Sequence, residues 1–357
     1  MTRDDLPFWL QKPLSEFTDA LGERRLPGSV IFSCPPGMGG DDLAFEAAKA
    51  ALCLGQRGGR PCLECRSCAL MDAGTHPDYL RIRATDAQGS KDGQDLTHEP
   101  FDEEAAEGTQ RFVRIGALRE MCHFLSESPA LGGRKCAVIP EAGLMRNDAA
   151  SAVLKTFEEP PAGTLIIMVA SSLDMMLPTI LSRAFKIPVP VPPRKEAADF
   201  IMKAVPGCDG AVAGLALSLA SGAPYGAISL MRAPEDAPSP VSAVMDALKA
   251  FGAALSGQGR TEAAVDALLA LPPSLMVRTL RQFVLEDLKY KAGVAAEQLP
   301  LLSLLPCDKA AQLGASHLMR AMEALRGMDG APPLLPPRAP AALVRAWIDA
   351  LKENTPR

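Results

Sequence analysis

Cys34-Pro35-Pro36-Gly37-Met38-Gly39-Gly40-Asp41 reads as a phosphate-binding loop whose working residues have been replaced. An intact loop of the form G-x-x-x-x-G-K-[ST] cradles nucleotide phosphates on backbone amides, while its Lys reaches the β/γ-phosphates and its hydroxyl binds Mg²⁺. Here Cys34 replaces the first Gly, Gly40 stands at the Lys position and Asp41 at the hydroxyl. A carboxylate would therefore face a triphosphate with like charge. Pro-Pro-Gly also occurs as plain turn chemistry, so the flanks matter. Ser29-Val30-Ile31-Phe32 precedes the stretch as a β-prone run, and Asp41-Asp42 lead into an Ala/Leu-rich run from Leu43 to Leu54. Strand, Gly-rich turn and helix with an acidic start is the context a phosphate loop requires, although this segment alone leaves a plain turn open.

With 357 residues and 48% hydrophobic content, the chain is long enough for two or three domains with sizeable cores. A net charge of −5 argues against gripping nucleic acid alone through a broad basic surface. No apolar run reaches the length of a membrane span, and Met1-Thr2-Arg3-Asp4-Asp5 lacks the regions of a signal peptide. A cytoplasmic location without membrane contact is expected, and in that reducing setting the nine cysteines read as metal ligands or buried thiols rather than disulfides.

Cys53, Cys62, Cys65 and Cys68 fall as C-x8-C-x2-C-x2-C, and the short spacings let neighbouring thiolates converge on one tetrahedral zinc ion. An iron-sulfur cluster also takes four Cys, and free buried thiols are the third reading; zinc is the simplest. Arg57, Arg60 and Arg66 would offset part of the thiolate charge. Four protein ligands leave no open position for water, so the expected metal is structural. Cys34, Cys122, Cys136, Cys208 and Cys307 are scattered and read as small hydrophobes or surface thiols. His76, in the turn-rich Gly74-Thr75-His76-Pro77-Asp78, is expected to hydrogen-bond its surroundings rather than bind metal.

Tyr79–Arg83 reads as a strand. Residues 86–110 carry Asp86, Asp92, Asp95, Glu99, Asp102, Glu103, Glu104 and Glu107 against Lys91, which reads as a flexible, solvated acidic insertion. Ile115, Leu118, Cys122 and Leu125 then mark an amphipathic helix before the strand Cys136–Ile139. Asn147 is a plausible N-cap for a helix through Phe157, stopped by Pro160-Pro161 and followed by the strand Leu165–Ala170. Strands alternating with helices predict a parallel α/β sheet. Val189-Pro190-Val191-Pro192-Pro193 and Pro234–Pro240 read as linkers, with Ala-rich helical character after each. One late helix is expected from Ser274, with Val277, Leu280, Val284 and Leu288 on one stripe that is more simply core than binding face.

The loop, the cysteine quartet, Gly74–Asp78, Leu154-Lys155-Thr156-Phe157-Glu158-Glu159-Pro160-Pro161 and Leu181-Ser182-Arg183 occur in this order. In that combination the chain, to about Met231, closely resembles the delta-prime family of bacterial DNA polymerase III clamp loaders. The resemblance implies an α/β AAA+ module over 1–189, with the zinc module (53–68) and the acidic insertion (86–110). A helical lid over 190–235 and an all-α collar over 236–357 would follow. It implies partners, namely tau or gamma and delta subunits, and through them the sliding clamp and primer-template DNA, within a DNA-directed DNA polymerase holoenzyme. It also implies no intrinsic ATPase: Gly37, Gly39, Gly40 and Asp41 would form a loop that does not bind ATP productively. Arg183 would act as a trans arginine finger for ATP on a neighbouring subunit, since a guanidinium can stabilise charge on a transferring phosphoryl group. Ala184 stands where the family's Ser-Arg-Cys motif has Cys, which leaves the guanidinium in place. Where hydrolysing relatives carry an Asp-Glu pair after a strand, Pro140-Glu141 retains only Glu141, and Gly222-Ala223-Pro224-Tyr225-Gly226-Ala227 lacks the Arg that senses nucleotide.

Two other readings compete. An active tau- or gamma-like ATPase of the same fold needs a Lys-Thr pair that Gly40-Asp41 does not supply. A zinc-containing nucleic-acid-binding protein working alone needs a basic face.

Overall fold

The structure, a computed structural model, describes residues 6–86, 96–97, 111–145, 153–233, 238–305 and 345. The chain divides between Val191 and Pro192 into two compact units.

The first unit is built on a six-stranded sheet in the order β4-β2-β6-β7-β1-β8. Its strands are β1 (Ser29–Ser33), β2 (Tyr79–Ile82), β4 (Leu96–Thr97), β6 (Lys135–Ile139), β7 (Thr164–Ala170) and β8 (Phe185–Pro188). Five run parallel and β4 lies antiparallel at one edge. β1, β6 and β7 are apolar through their interiors, between polar ends such as Ser29, Lys135 and Thr164, because both faces are covered. Ile31, Ala137, Ile139, Ile166 and Met168 join one core with Leu118, Met121 and Leu125 of the helix Ile115–Ser126. Toward α1 (Phe8–Gly22), Phe32 meets Phe17 with ring centroids 5.9 Å apart. The loop that opens α2 (Gly40–Leu52) therefore leaves the carboxyl end of an interior strand, where open α/β sheets place their ligands.

The expected strands and the helix from Ile115 are present, with ends shifted by a residue or two. The helix read back to Asn147 is described only as Leu154–Glu158; Asn147 itself lies outside the described residues. The segment 86–110 departs from a plain insertion. β3 (Thr85–Asp86) and β5 (Arg111–Phe112) close an antiparallel ladder at its two ends, and β4 pairs with β2 from its middle. Backbone pairing of this kind does not depend on side-chain hydrophobicity, so acidic composition concealed it. Residues 87–95 and 98–110 lie outside the described residues.

The second unit is helical over its described residues. Helices Arg194–Ala204, Gly210–Leu219 and Pro224–Met231 are followed by Pro240–Leu255, Thr261–Leu269 and Pro273–Lys291. The last begins one residue before the expected Ser274, with Pro273 in its first turn, where the missing amide costs nothing. Val277, Leu280 and Val284 lie inside the core, with Leu288 packed against it. That core runs unbroken from Ala197 to Leu305, so helices on either side of 235 share one hydrophobic interior. Among the described residues no single helix is long and apolar enough to cross a membrane.

Candidate functional site: a refilled phosphate loop and a cysteine knuckle

At the carboxyl end of β1 the chain turns through Gly37 (φ 73°) and Gly39 (φ 84°), left-handed values that side chains rarely tolerate. Gly39 caps α2, and Trp9 Nε1 donates to Met38 O at 2.9 Å, pinning the loop to α1. The backbone thus turns as a phosphate-binding loop does, but a side chain at Gly40 would meet the protein's own groups. A Cβ built on Gly40 would lie 2.7 Å from Val169 Cγ1 and 3.0 Å from Cys34 Sγ. Cys34 is buried, and burial, with the nearby Asp41 carboxylate adding to it, pushes its thiol up to about 12. At the hydroxyl position, Asp41 Oδ2 accepts from Arg81 Nη2 at 2.9 Å, and the Arg81 side chain is 2% exposed. Carboxylates in the first turn suit the positive end of a helix, and Asp41 is held there by the buried Arg81.

Glu141 follows β6 and is gripped at both oxygens. Arg111 Nη1 donates to Oε1 at 3.0 Å and Nη2 to Oε2 at 2.8 Å, while Arg111 also donates to Ala84 O. A bidentate fork of this kind fixes the carboxylate. Arg81 and Arg111 were not singled out from sequence. Arg81 carried a usable signal, because an Arg between Leu80 and Ile82 in an apolar strand requires an acidic partner. Arg111, next to an acidic run, carried none.

Arg183 follows the short helix Pro178–Leu181 and is 44% exposed. Nη1 donates to Thr179 O at 3.2 Å and Ser182 Oγ at 3.3 Å, and Nη2 lies 3.4 Å from Glu158 Oε1. The guanidinium is thus lightly held and faces solvent. Arg183 and Glu158 come from two different sequence motifs that the fold brings side by side.

The four quartet sulfurs lie within 4.8 Å of one another. Tetrahedral zinc with Zn–S bonds of ~2.3 Å places its sulfurs about 3.8 Å apart; Cys53 Sγ lies 3.5 Å from Cys62 Sγ and 3.8 Å from Cys65 Sγ. Backbone amides aim at the sulfurs: Cys62 N at Cys53 Sγ (3.2 Å), Cys65 N at Cys62 Sγ (3.3 Å) and Cys68 N at Cys65 Sγ (3.5 Å). Burial opposes ionisation of Cys65, but amide and thiol donors around it bring it down to about 6. Amide donors from Glu64 and Cys65 lower Cys62, while burial raises Cys53 and Cys68. The donor set, spacing and amide support fit a zinc ion, which these four residues could hold.

His76 lies outside this set. Its Nδ1 accepts from Asp78 N at 3.0 Å, which leaves the proton on Nε2, 2.8 Å from Ser67 Oγ, whose own proton goes to Leu52 O at 2.8 Å. Asp78 in turn accepts from Ala130 N (2.7 Å) and Leu131 N (3.0 Å). This buried chain ties the helix of Cys68 (α3, Arg66–Asp72) to α2 and to the loop before β6.

The family model described as DNA polymerase III, delta subunit, matches residues 9–192. The delta' subunit of Escherichia coli (strain K12) is 30% identical over 224 residues, 63% of this chain and 60% of that protein. Delta' of Pseudomonas aeruginosa is 28% identical over 190 residues, 53% of this chain and 51% of that protein. The match thus spans between half and two thirds of these relatives' length. Among solved structures, a DNA polymerase III gamma subunit-related protein from Thermotoga maritima aligns over 97% of this chain and 100% of its own, at 17% identity and a TM-score of 0.43, too distant a likeness to bear on function. With the family's pattern matched over more than half of its residues, the chain belongs to the DNA polymerase III delta subunit family, alongside the delta' subunits.

Proposed function

We propose that this chain is a non-hydrolysing, delta-prime-like clamp-loader subunit that supplies Arg183 in trans to ATP on a neighbouring tau or gamma subunit. With those subunits and delta it would help load the sliding clamp onto primer-template DNA in the cytoplasm. The observation that carries the first half is the filled loop: Gly40 at the Lys position is boxed in by Val169 and Cys34, and Asp41 is held by buried Arg81. A triphosphate there would meet a carboxylate and no Lys, while the surviving Glu141 is engaged by Arg111. Such a site lacks the cation clamp on which phosphoryl transfer depends.

Arg183 supports the second half. An exposed ion pair such as that with Glu158 is worth under about 1 kcal/mol, so a partner's triphosphate would readily draw the guanidinium away. The quartet is read as holding structural zinc, 1–189 as the AAA+ module, and 190–235 and 236–357 as lid and collar. The test is ATP turnover by tau or gamma with delta, with and without this chain, beside turnover by the chain alone. Stimulation without intrinsic activity is expected, and Arg183→Ala should remove most of it while leaving the melting temperature unchanged. An unchanged assembled rate would remove the finger, and turnover by the isolated chain would favour an active ATPase.

A further inference from the structure

The tip of the cysteine knuckle carries positive charge that neither the loop nor Arg183 uses and of which the quartet thiolates would offset only part. Arg57 and Arg60 pair across an antiparallel bridge, each amide donating to the other's carbonyl at 3.2 Å. Gly58 and Gly59 between them have φ of 59° and 78°, the two positive values of a type I′ turn. A hydrogen-bonded pair of this kind keeps its Cα atoms about 5.5 Å apart, with both side chains on one face. The hairpin is seated against the end of α1: a Cβ on Gly59 would fall 1.8 Å from Thr18 O, and one on Gly22 2.7 Å from the Gly58 carbonyl carbon. Arg24 follows Gly22 by two residues. Arg24, Arg57, Arg60 and Arg66 are all exposed, and among the described residues none of them has a carboxylate partner, whereas Arg25 pairs with Glu23.

Like charges directly opposite one another are unfavourable in a bare hairpin, and the rigid turn keeps the roots of the two side chains together. An anion shared between the two guanidiniums removes the penalty. We propose that this knuckle tip, Arg57 and Arg60 with Arg24 beside them, is a docking point for the phosphate backbone of duplex DNA. The guanidinium fork matches phosphate oxygens bidentately. No aromatic residue stands in 22–27 or 54–66, so the patch, in which Leu54 and Leu63 are the exposed large apolar residues, offers neither a stacking platform for single-stranded bases nor the Trp and Tyr anchors common in protein interfaces. Against a net chain charge of −5 the contact is local and independent of base sequence.

The test is anisotropy of a short labelled duplex titrated with the metal-replete full chain over a salt series. Each neutralised phosphate contributes about 0.9 to the slope of log affinity against log salt. Arg57→Gln with Arg60→Gln should therefore lower the slope by about 2 and weaken binding, with cysteine-bound metal retained. Arg24→Gln lies outside the knuckle and should lower it by about 1, which keeps the test open if the double variant loses its metal. No duplex binding by the parent chain, or unchanged slopes in both variants, would overturn the proposal. So would an acidic peptide that binds the tip while the duplex does not.

Discussion

Gly40 shows how packing can close a single position to the Lys of an intact phosphate loop. Restoring the Lys at this position places a Cβ 2.7 Å from the β-branched Val169 and 3.0 Å from Cys34 Sγ. Gly40→Lys should destabilise the chain by about 1–3 kcal/mol through overpacking and should not create ATP binding, even combined with Asp41→Thr, which also removes a carboxylate to which Arg81 donates. A thermal melt beside nucleotide titration checks both; tight ATP binding by the double variant would show that the loop opens more readily than its packing implies. Glu46 is a second such position, 2% exposed on α2 with Oε1 lacking a hydrogen-bond partner. Burial raises its carboxyl above the ordinary 4.5, against the pull of Lys49. The folded state therefore holds this proton more tightly than the unfolded chain. The stabilisation it gives is complete below the unfolded value and is lost as pH rises through the folded one. Glu46→Gln should accordingly match the parent in mildly acidic solution and exceed it in stability near neutral pH, as read by denaturant midpoints at the two pH values.

At the scale of elements, the knuckle and α3 depend on one another. Cys65 caps α3 and Cys68 lies in its first turn, while Ser67 between them anchors the buried His76 chain. Seven residues make too short a helix to stand alone, so the quartet and the His76 chain are what hold it. If the quartet holds zinc as proposed, chelating it, or Cys62→Ser, should therefore raise hydrogen exchange over 53–72 and lower the melting temperature, with β1 and β7 little affected. Equal protection with and without metal would mean that the His76 chain suffices. The quartet was legible because ligand spacing is a local property. The role of His76 was only half legible: its partner Ser67 lies 9 positions away, and the Leu52 carbonyl that Ser67 in turn reaches lies 15 further back, and no local pattern names them.

At the scale of the molecule, the helical unit is joined by a buried acid. Glu286, fully buried, accepts from Leu301 N at 2.9 Å, Leu302 N at 3.0 Å and Gln282 Nε2 at 2.8 Å. Arg194, whose guanidinium donates to Gly214 O and Ser218 Oγ, is lowered by burial and drawn back up by Glu286. Glu286→Ala should cost about 3 kcal/mol or more by leaving buried donors unmet. Because one core joins Ala197 to Leu305, exchange should rise together in 194–231 and 240–305. A rise confined to 273–305 would instead separate the two helical groups.

The sequence by itself determined the alternation of strand and helix, the loop without Lys and hydroxyl, the four thiols and the motif that carries Arg183. Each of these is a matter of residue type and short spacing. Only the tertiary structure decided what replaced the lost chemistry. Arg81 reaches Asp41 across 40 positions and Arg111 reaches Glu141 across 30. The tertiary structure likewise drew the ends of an acidic stretch into strands and merged two runs of helices into one core. Those outcomes depend on which strands lie side by side and on the demand of every buried charge for a partner. Spacing along the chain carries no information about either.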